Sequence, residues 1–444
     1  MKKVSVVLPV YHAEQYIEEC MNSLLRQTLE EIEIICVLDC PKDKTGSILK
    51  EIARKDHRIV LIENEKNMGA ACSRNIGMEY VTAPYVIFLD ADDMFEPDML
   101  EVLYHRIEET KADMCLFEFD TFFNEKEWLV SGNEQESKYT GVFSIADMPE
   151  DELAHLGAAT WNRIYRRSFL ERNKLSFQNL KTANDAYIGI ISLLLAEKIV
   201  HTKTNKAFLH YRLGSPNQIS ANANPKDTCM AYQKVHDELK ERGLWNKYKN
   251  CFWIKFLLSL TREITNGNNE EYNQQAYRWI QEEGVSALEI ADAKEEDFDY
   301  PYYVTGLRKL IEMDYESGWF RYNIALQMKL DYNKEKIINQ CNLWMEKGKR
   351  IAVWGAGQYG CTMLHFFDEH RIHCDTVIDS NQNKQGTYIE HRKIQTFENV
   401  SYTLDIIIVA IKNYGAQIRK MVFERDDRII VITIEEMIGR GDVL

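Results

Sequence analysis

Tyr85–Asp98 reads YVIFLDADDMFEPD, and the fold turns on it. Tyr85 to Leu89 have the composition of a buried strand. That strand runs into Asp90, Asp92 and Asp93, with only Ala91 between the first two. Three carboxylates at the end of an apolar strand repel one another and are costly to desolvate unless a positive charge joins them. A hard divalent ion such as Mg²⁺ or Mn²⁺ suits the spacing, because it takes few protein ligands and shares the rest with phosphate oxygens and water. The competing reading makes Asp92 or Asp93 the N-cap of the next helix.

Outward from that stretch, strand and helix alternate. Strands are expected at Val4–Pro9, Ile32–Leu38, Ile59–Glu63, Tyr85–Leu89 and Met114–Phe119. Helices are expected over Glu14–Leu25, Ser47–Arg54 and Ala70–Tyr80, and again after Pro97. Such alternation predicts an α/β fold of parallel strands covered by helices, with ligands at the carboxyl ends of the strands. Asp39 and the Asp90–Asp93 cluster both lie at such ends. Residues 225–347 turn helical and aromatic-rich, with Trp245, Trp253, Trp279, Trp319 and Trp344 and no catalytic motif, as in a linker or interaction region. A second α/β unit begins at Arg350. Its strand Ile351–Trp354 leads into Gly355-Ala-Gly357-Gln-Tyr-Gly360 and a helix through Phe367. Strands at His373–Ile378, ending in Asp379, and Leu404–Ala410 follow. Strand, glycine turn, helix and a later acid form the pattern of a dinucleotide site, so Gly355, Gly357, Gly360 and Asp379 make a candidate second nucleotide site. The remaining chain accommodates one mononucleotide half and not two.

The 444 residues are 45% hydrophobic, which excludes wholesale disorder. A formal net charge of −15 argues against nucleic acid as the main partner, since phosphate neutralisation needs clustered Lys and Arg. The ten cysteines contain no CxxC pair and read as reduced thiols. No stretch reaches the ~18 apolar residues of a transmembrane span. The opening MKKVSVVLPVYHAEQY reads as a first strand and not as a leader. The expectation is a cytoplasmic protein, compatible with a homo-oligomer and with peripheral contact at the inner face of the membrane.

Four blocks in order, VSVVLPVYHAEQYIEECMNSLLRQT, IICVLDCPKDKT, NEKNMGAACSRNIGMEY and YVIFLDADDMFEPDML, resemble the family 2 glycosyltransferases. A weaker similarity continues through TWNRIYRRSFL, TANDAYIGIISLLLAEKI and FLHYRLGSPNQIS, covering about half the chain. The resemblance implies a GT-A-type nucleotide-sugar-binding domain over 1–224, with a donor half at 1–120 and an acceptor half at 121–224. A helical region would follow at 225–347 and a Rossmann-like domain at 348–444. It implies that Pro9 and Tyr11 pack on the donor base, uracil, and that Asp39 reads it. Leu38 and Cys40-Pro41 depart from the family's acidic-pair–Gly–Ser pattern. Asn67, Gly69 and Ala70 would face phosphate or ribose from a helix start, and Arg74 matches a family arginine. Asp90 would hold ribose or a metal-bound water, Asp92 would ligate the metal, and Asp93 would support them. Asp185 is implied as the general base, with Asn184 replacing the usual Glu; a plain first-turn acid favoured by the helix dipole is the alternative. Arg212 and Ser220 would attend the diphosphate, His210 would be a third metal ligand, and Trp161 would line the core or the acceptor site.

The implied activity is metal-dependent, inverting transfer from a nucleotide-sugar donor, a UDP-sugar, with Mn²⁺ or Mg²⁺. The acceptor would be a glycan or lipid-linked molecule, in cell-surface polysaccharide synthesis. A non-catalytic nucleotide-sugar binder fits the departures at Leu38, Cys40-Pro41 and Asn184. An aspartate-nucleophile phosphatase is disfavoured by Met94 and by the cluster following the fourth strand. A dehydrogenase built on the Gly355 turn lacks the second half of its fold. The C-terminal stretch resembles small single-Rossmann modules attached to bacterial sugar-modifying enzymes.

Overall fold

Val4–Val10 (β1), Ile32–Leu38 (β2), Ile59–Glu63 (β3) and Tyr85–Phe88 (β4) pair in parallel in the order β3-β2-β1-β4. All of β2 and β4 is buried, and all of β1 except half-buried Pro9. Coverage of both faces is why these strands are continuous apolar runs without alternation. Helix α1 (Ile17–Leu25) buries Ile17, Cys20, Met21 and Leu24, the single stripe a 3.6-residue period allows. Helices α2 (Thr45–Ala53), α3 (Gly69–Met78) and α4 (Met99–Thr110) complete the alternation. Helix α3 lies so close to the sheet that a Cβ on Gly77 would meet Val7 Cγ1 at 2.5 Å.

This computed structural model describes all residues except 124–127, 130–140, 150–152, 155, 203, 205, 214, 216–218, 220–222, 267–269, 299–301, 313–323, 375, 412–414 and 439–444. Two compact units result: Met1–Glu263 with Gly267–Leu288, and Ile264–Asn266 with Glu289–Leu444. The helical stretch 225–347 is thus divided between them, with Leu288 as the main boundary and Ile264–Asn266 counted with the second unit. Among the described residues no helix is long and apolar enough to cross a membrane.

The first unit's sheet continues through β6 (Met114–Leu116), β9 (Val142–Phe143), β10 (Arg163–Arg166) and β11 (Ile199–His201) in the order β4-β10-β6-β11-β9. Here the expectation of a purely parallel sheet fails, because β10 inserts antiparallel to both β4 and β6. The expected single strand Met114–Phe119 is also two. Phe117 donates its amide to Asn162, while the Glu118 carbonyl accepts from Phe208. The chain thereby leaves the large sheet for a smaller one built of β5 (Met94–Phe95), β7 (Phe119–Phe123), β8 (Trp128–Leu129) and β12 (Leu209–Leu213), ordered β5-β12-β7-β8. Helix α5 (Arg167–Arg172) follows β10, and α6 (Ala186–Leu195), α7 (Pro225–Glu241) and α8 (Trp245–Asn266) come later.

In the second unit, β13 (Ile351–Trp354), β14 (Thr376–Ile378), β16 (Arg392–Gln395), β17 (Ile406–Val409) and β18 (Ile430–Thr433) are parallel. Antiparallel β15 (Tyr388–Ile389) lies at one edge, giving the order β15-β16-β14-β13-β17-β18. Its core takes Leu326, Leu330, Ile337 and Cys341 from the helices Ile324–Tyr332 and Lys334–Glu346.

Candidate active site

The register pairs Val10 with Leu38 and Val7 with Phe88, so β1, β2 and β4 end at one edge and deliver Tyr11, Asp39 and Asp90 there. Asp39 is 2% exposed and both its oxygens are occupied. Oδ1 accepts from the Met68 amide at 2.7 Å and from Asn64 Nδ2 at 2.8 Å, and Oδ2 accepts from the Gly69 amide at 2.8 Å. The carboxylate therefore fixes the start of α3, where Gly69 adopts φ +84° and Asn67 stands exposed. Tyr11 is exposed and stacks on His12 at 4.0 Å.

Neither Asp92 nor Asp93 caps a helix: β5 intervenes, and Asp98 is the residue before α4. Asp93 is fully buried; Oδ1 accepts from the Arg212 amide at 2.9 Å, and Oδ2 finds no partner among the described residues. Burial, then repulsion from Asp92 and Asp90, holds its carboxyl well above the usual range. Burial and the neighbouring Asp90 push Asp92 up to about 6. An orphaned buried oxygen beside a carboxyl that resists ionisation is the donor set a divalent cation would relieve, so these residues fit a metal.

The Arg212 guanidinium lies over the rings of Tyr16 and Phe122, at 4.7 and 4.5 Å. It donates to the Asp92 carbonyl at 2.7 Å and to Glu19 at 2.6 Å, bracing the acidic turn from behind. His210 does not stand as a free metal ligand, because Nδ1 contacts Asp120 at 2.7 Å and Nε2 contacts Glu96 at 3.1 Å. Trp161 stacks on Tyr211 at 5.1 Å and meets Phe119 edge-on. Ser220 lies outside the described residues.

Arg74, 7% exposed, joins the two halves of the site. Nη2 contacts Asp90 at 2.6 Å, Nη1 donates to Asn184 Oδ1 at 3.0 Å, and the guanidinium lies 5.2 Å from the Phe177 ring. Asn184, which departs from the family's Glu, thus keeps an acceptor for the arginine. Next to it, half-buried Asp185 occupies the N-cap position of α6 yet makes no side-chain bond to the helix amides. A carboxylate serving only as a cap would make that bond. Burial raises the Asp185 carboxyl above an ordinary aspartate; Arg74 opposes this and Asp90 adds to it. A raised carboxyl has the basicity that proton abstraction from a hydroxyl needs.

Sequence reading missed Glu19, Asn64, Glu96 and Asp120. Each has ordinary polar neighbours in the sequence that nothing singles out, and only the fold brings it to a site residue.

In the second unit, two of the three turn glycines are dictated by backbone approach. A Cβ on Gly360 would meet the Gly355 carbonyl oxygen at 1.8 Å, and one on Gly355, at φ +120°, would meet the Ala410 carbonyl oxygen at 2.7 Å. Gly357 faces open space. Asp379 accepts from the amides of Ala356 at 2.7 Å and Asn381 at 2.8 Å, with Lys384 3.6 Å away.

A mixed sheet whose parallel strands β3-β2-β1-β4 end in an aspartate-rich turn, with a second small sheet, is a GT-A-like domain. Residues 5–173 match the glycosyl transferase family 2 model, and residues 347–430 match the model described as C2185-like, N-terminal. The chain is similar to glycosyltransferase GlyA of Streptococcus pneumoniae, 34% identical over 48% of this chain and 30% of that protein. It is also similar to the minor teichoic acid biosynthesis protein GgaB of Bacillus subtilis, 28% identical over 50% of this chain and 24% of that one. The chain thus spans less than two thirds of the length of either relative. Residues 1–349 of S. aureus TarS, in complex with UDP-GlcNAc, share the fold with TM-score 0.54 at 21% identity, covering 70% of this chain and 93% of that one.

Proposed function

We propose that this chain is an inverting, metal-dependent glycosyltransferase that moves a sugar from a UDP-sugar to a glycan or lipid-linked acceptor of the cell surface. The observation carrying this reading is the Arg74 bridge: one guanidinium holds Asp90 of the acidic turn and Asn184, whose neighbour Asp185 is an uncapped carboxylate of raised basicity. Two carboxylate centres with different protonation demands are what a transferase needs, one for the donor's phosphates and one for the acceptor's proton. The UDP-GlcNAc complex of a protein sharing the fold and the teichoic acid role of a relative support the substrate classes.

A divalent cation held by Asp92, with Asp93 behind it, would supply positive charge opposite the departing nucleoside diphosphate. Asp39 orders the amides of Met68 and Gly69, and Arg212 keeps the acidic turn fixed. Asp185 takes the proton as the acceptor hydroxyl attacks the anomeric carbon, the C–O bond to the nucleotide breaks on the opposite side, and configuration inverts. Residues 348–444 belong to an accessory domain outside this chemistry.

The test is UDP release from a panel of UDP-sugars with Mn²⁺, with NMR of the product's anomeric centre. Sugar-nucleotide binding without turnover under any acceptor would point instead to a non-catalytic binder.

A further inference from the structure

Behind Asp185 lie two buried cations that nothing above has used. Arg163, on β10, is 2% exposed; Nη1 donates to the Gly189 carbonyl at 2.7 Å, Nη2 donates to the Gly157 carbonyl, and Nε finds no partner among the described residues. Lys255, on α8, is 6% exposed and donates to the carbonyls of Ala154, at 3.2 Å, and Leu156. Ala154, Leu156 and Gly157 thus turn three carbonyls toward two cations, and the fourth carbonyl, Gly189, belongs to the first turn of α6. That helix lies so close to the 157–158 loop that a Cβ on Gly189 would meet the Ala158 carbonyl oxygen at 1.8 Å. The Gly189 amide in turn donates to the Asp185 carbonyl at 2.8 Å.

A neutral amide could satisfy such carbonyls at far lower desolvation cost than a guanidinium. Retaining charge here is informative, because the burial of Lys255 beside Arg163 and Arg262 already pushes its ammonium down to about 8. We propose that Arg163 is a positioning residue for Asp185: its fork locks the first turn of α6 onto the 157–158 loop, and its charge keeps the Asp185 carboxylate available to take a proton. This rests on the reading of Asp185 as the base. The charged groups facing Asp185 are Arg74 from α3, Asp90 from the acidic turn, Arg163 from β10 and Glu263 from α8. The two arginines favour the ionised form, whereas the two acids oppose it. Glu263 is itself held above the ordinary range, first by burial and also by Asp185.

The experiment compares full-length wild type with Asp185→Asn, Arg163→Gln and Arg163→Lys. It measures ¹³C carboxyl titration of Asp185, assigned by its loss in Asp185→Asn, and Mn²⁺-dependent UDP release from UDP-GlcNAc. Arg163→Gln should raise the Asp185 midpoint by roughly half a pH unit or more. It should also lower kcat on the order of tenfold, with the donor KM within about twofold. Arg163→Lys should restore the midpoint but not kcat, since an ammonium cannot bridge two carbonyls as a planar fork does. A folded Arg163→Gln with unchanged midpoint and kcat, alongside an inactive Asp185→Asn, overturns the inference and leaves the proposed base standing. Full turnover by Asp185→Asn overturns the base instead, and the carboxyl midpoint still decides whether Arg163 acts on Asp185. Should Arg163→Gln not fold, Arg163→Lys decides: lowered kcat at an unshifted midpoint supports the role, and wild-type kcat overturns it.

Discussion

Asp92 sits in the folded protein with its carboxyl raised to about 6, so its ionisation between the unfolded value and that midpoint works against the fold. A cation removes the penalty only where Asp92 is ionised. Mn²⁺ with UDP should therefore raise the melting temperature by several degrees at pH 7.5 and by much less at pH 5.5. Asp92→Ala should abolish both the metal-dependent shift and turnover; an undiminished Mn²⁺ shift in that variant would remove Asp92 from the metal site. Asp185→Asn should lose sugar transfer while keeping UDP affinity within about threefold in calorimetry, since a base acts on the acceptor and not on the nucleotide. Cys40 makes a different point. It departs from the family's glycine, yet it holds φ +52°, the left-handed backbone glycine adopts freely, with Sγ 3.0 Å from the Asn64 carbonyl. The departure changes the side chain and not the turn. Cys40→Gly should leave the melting temperature nearly unchanged, whereas β-branched Cys40→Val should cost on the order of 1–2 kcal/mol in denaturant titration.

Within the sheet, Glu33 on β2 is buried at 6% exposure and accepts from the Ser5 hydroxyl at 2.5 Å, the Thr82 amide at 2.7 Å and the Thr82 hydroxyl at 2.8 Å. Burial alone would raise its carboxyl, but these donors outweigh it and hold it below the ordinary glutamate value. The stability it contributes is present above the unfolded pKa, near 4.3, and is lost as pH falls through the lower folded value. Glu33→Ala should cost about 1–3 kcal/mol at pH 7 by stranding three donors, and its stability should depend less steeply on pH below about 4.5 than wild type. Equal acid slopes would dismiss Glu33 as a source of acid sensitivity. The same sheet marks what the sequence could disclose. Strands β1, β2 and β4 were legible because burial on both faces writes continuous apolar runs, and half-buried β3 because its run is apolar and β-branched; Ile32–Leu38 and Ile59–Glu63 match residue for residue. The antiparallel insertion of β10 was not legible: RIYR carries two arginines, one buried and one half-buried, whose carbonyl partners Gly189, in helix α6, and Ala112 are distant in sequence. For the same reason Asp90, Asp92 and Asp185 could be singled out as acids in motif positions. Glu19 could not, because it is an ordinary surface glutamate of α1 until Arg212 arrives.

Across the whole chain, the boundary at Leu288 gives truncation a definite outcome. Cutting between Lys347 and Gly348 removes Leu326, Leu330, Ile337 and Cys341 from the core of the β13–β18 sheet, so residues 348–444 alone should expose apolar surface and aggregate. Residues 289–444 should be soluble and show a cooperative melt, and residues 1–288 should retain UDP release. A well-folded 348–444 fragment would contradict this division. The contact between Arg212 and Glu19 spans 193 residues, and that between Arg74 and Asn184 spans 110. A chain leaving the ribosome therefore carries its acidic turn for more than a hundred residues of synthesis before the arginine that braces it is made. Through that interval the nascent protein holds three crowded aspartates without that arginine, and for its first part an apolar sheet still awaiting β10 (Arg163–Arg166), surfaces a chaperone can engage. Its vulnerable age, in this sense, is set by the distance from Asp92 to Arg212.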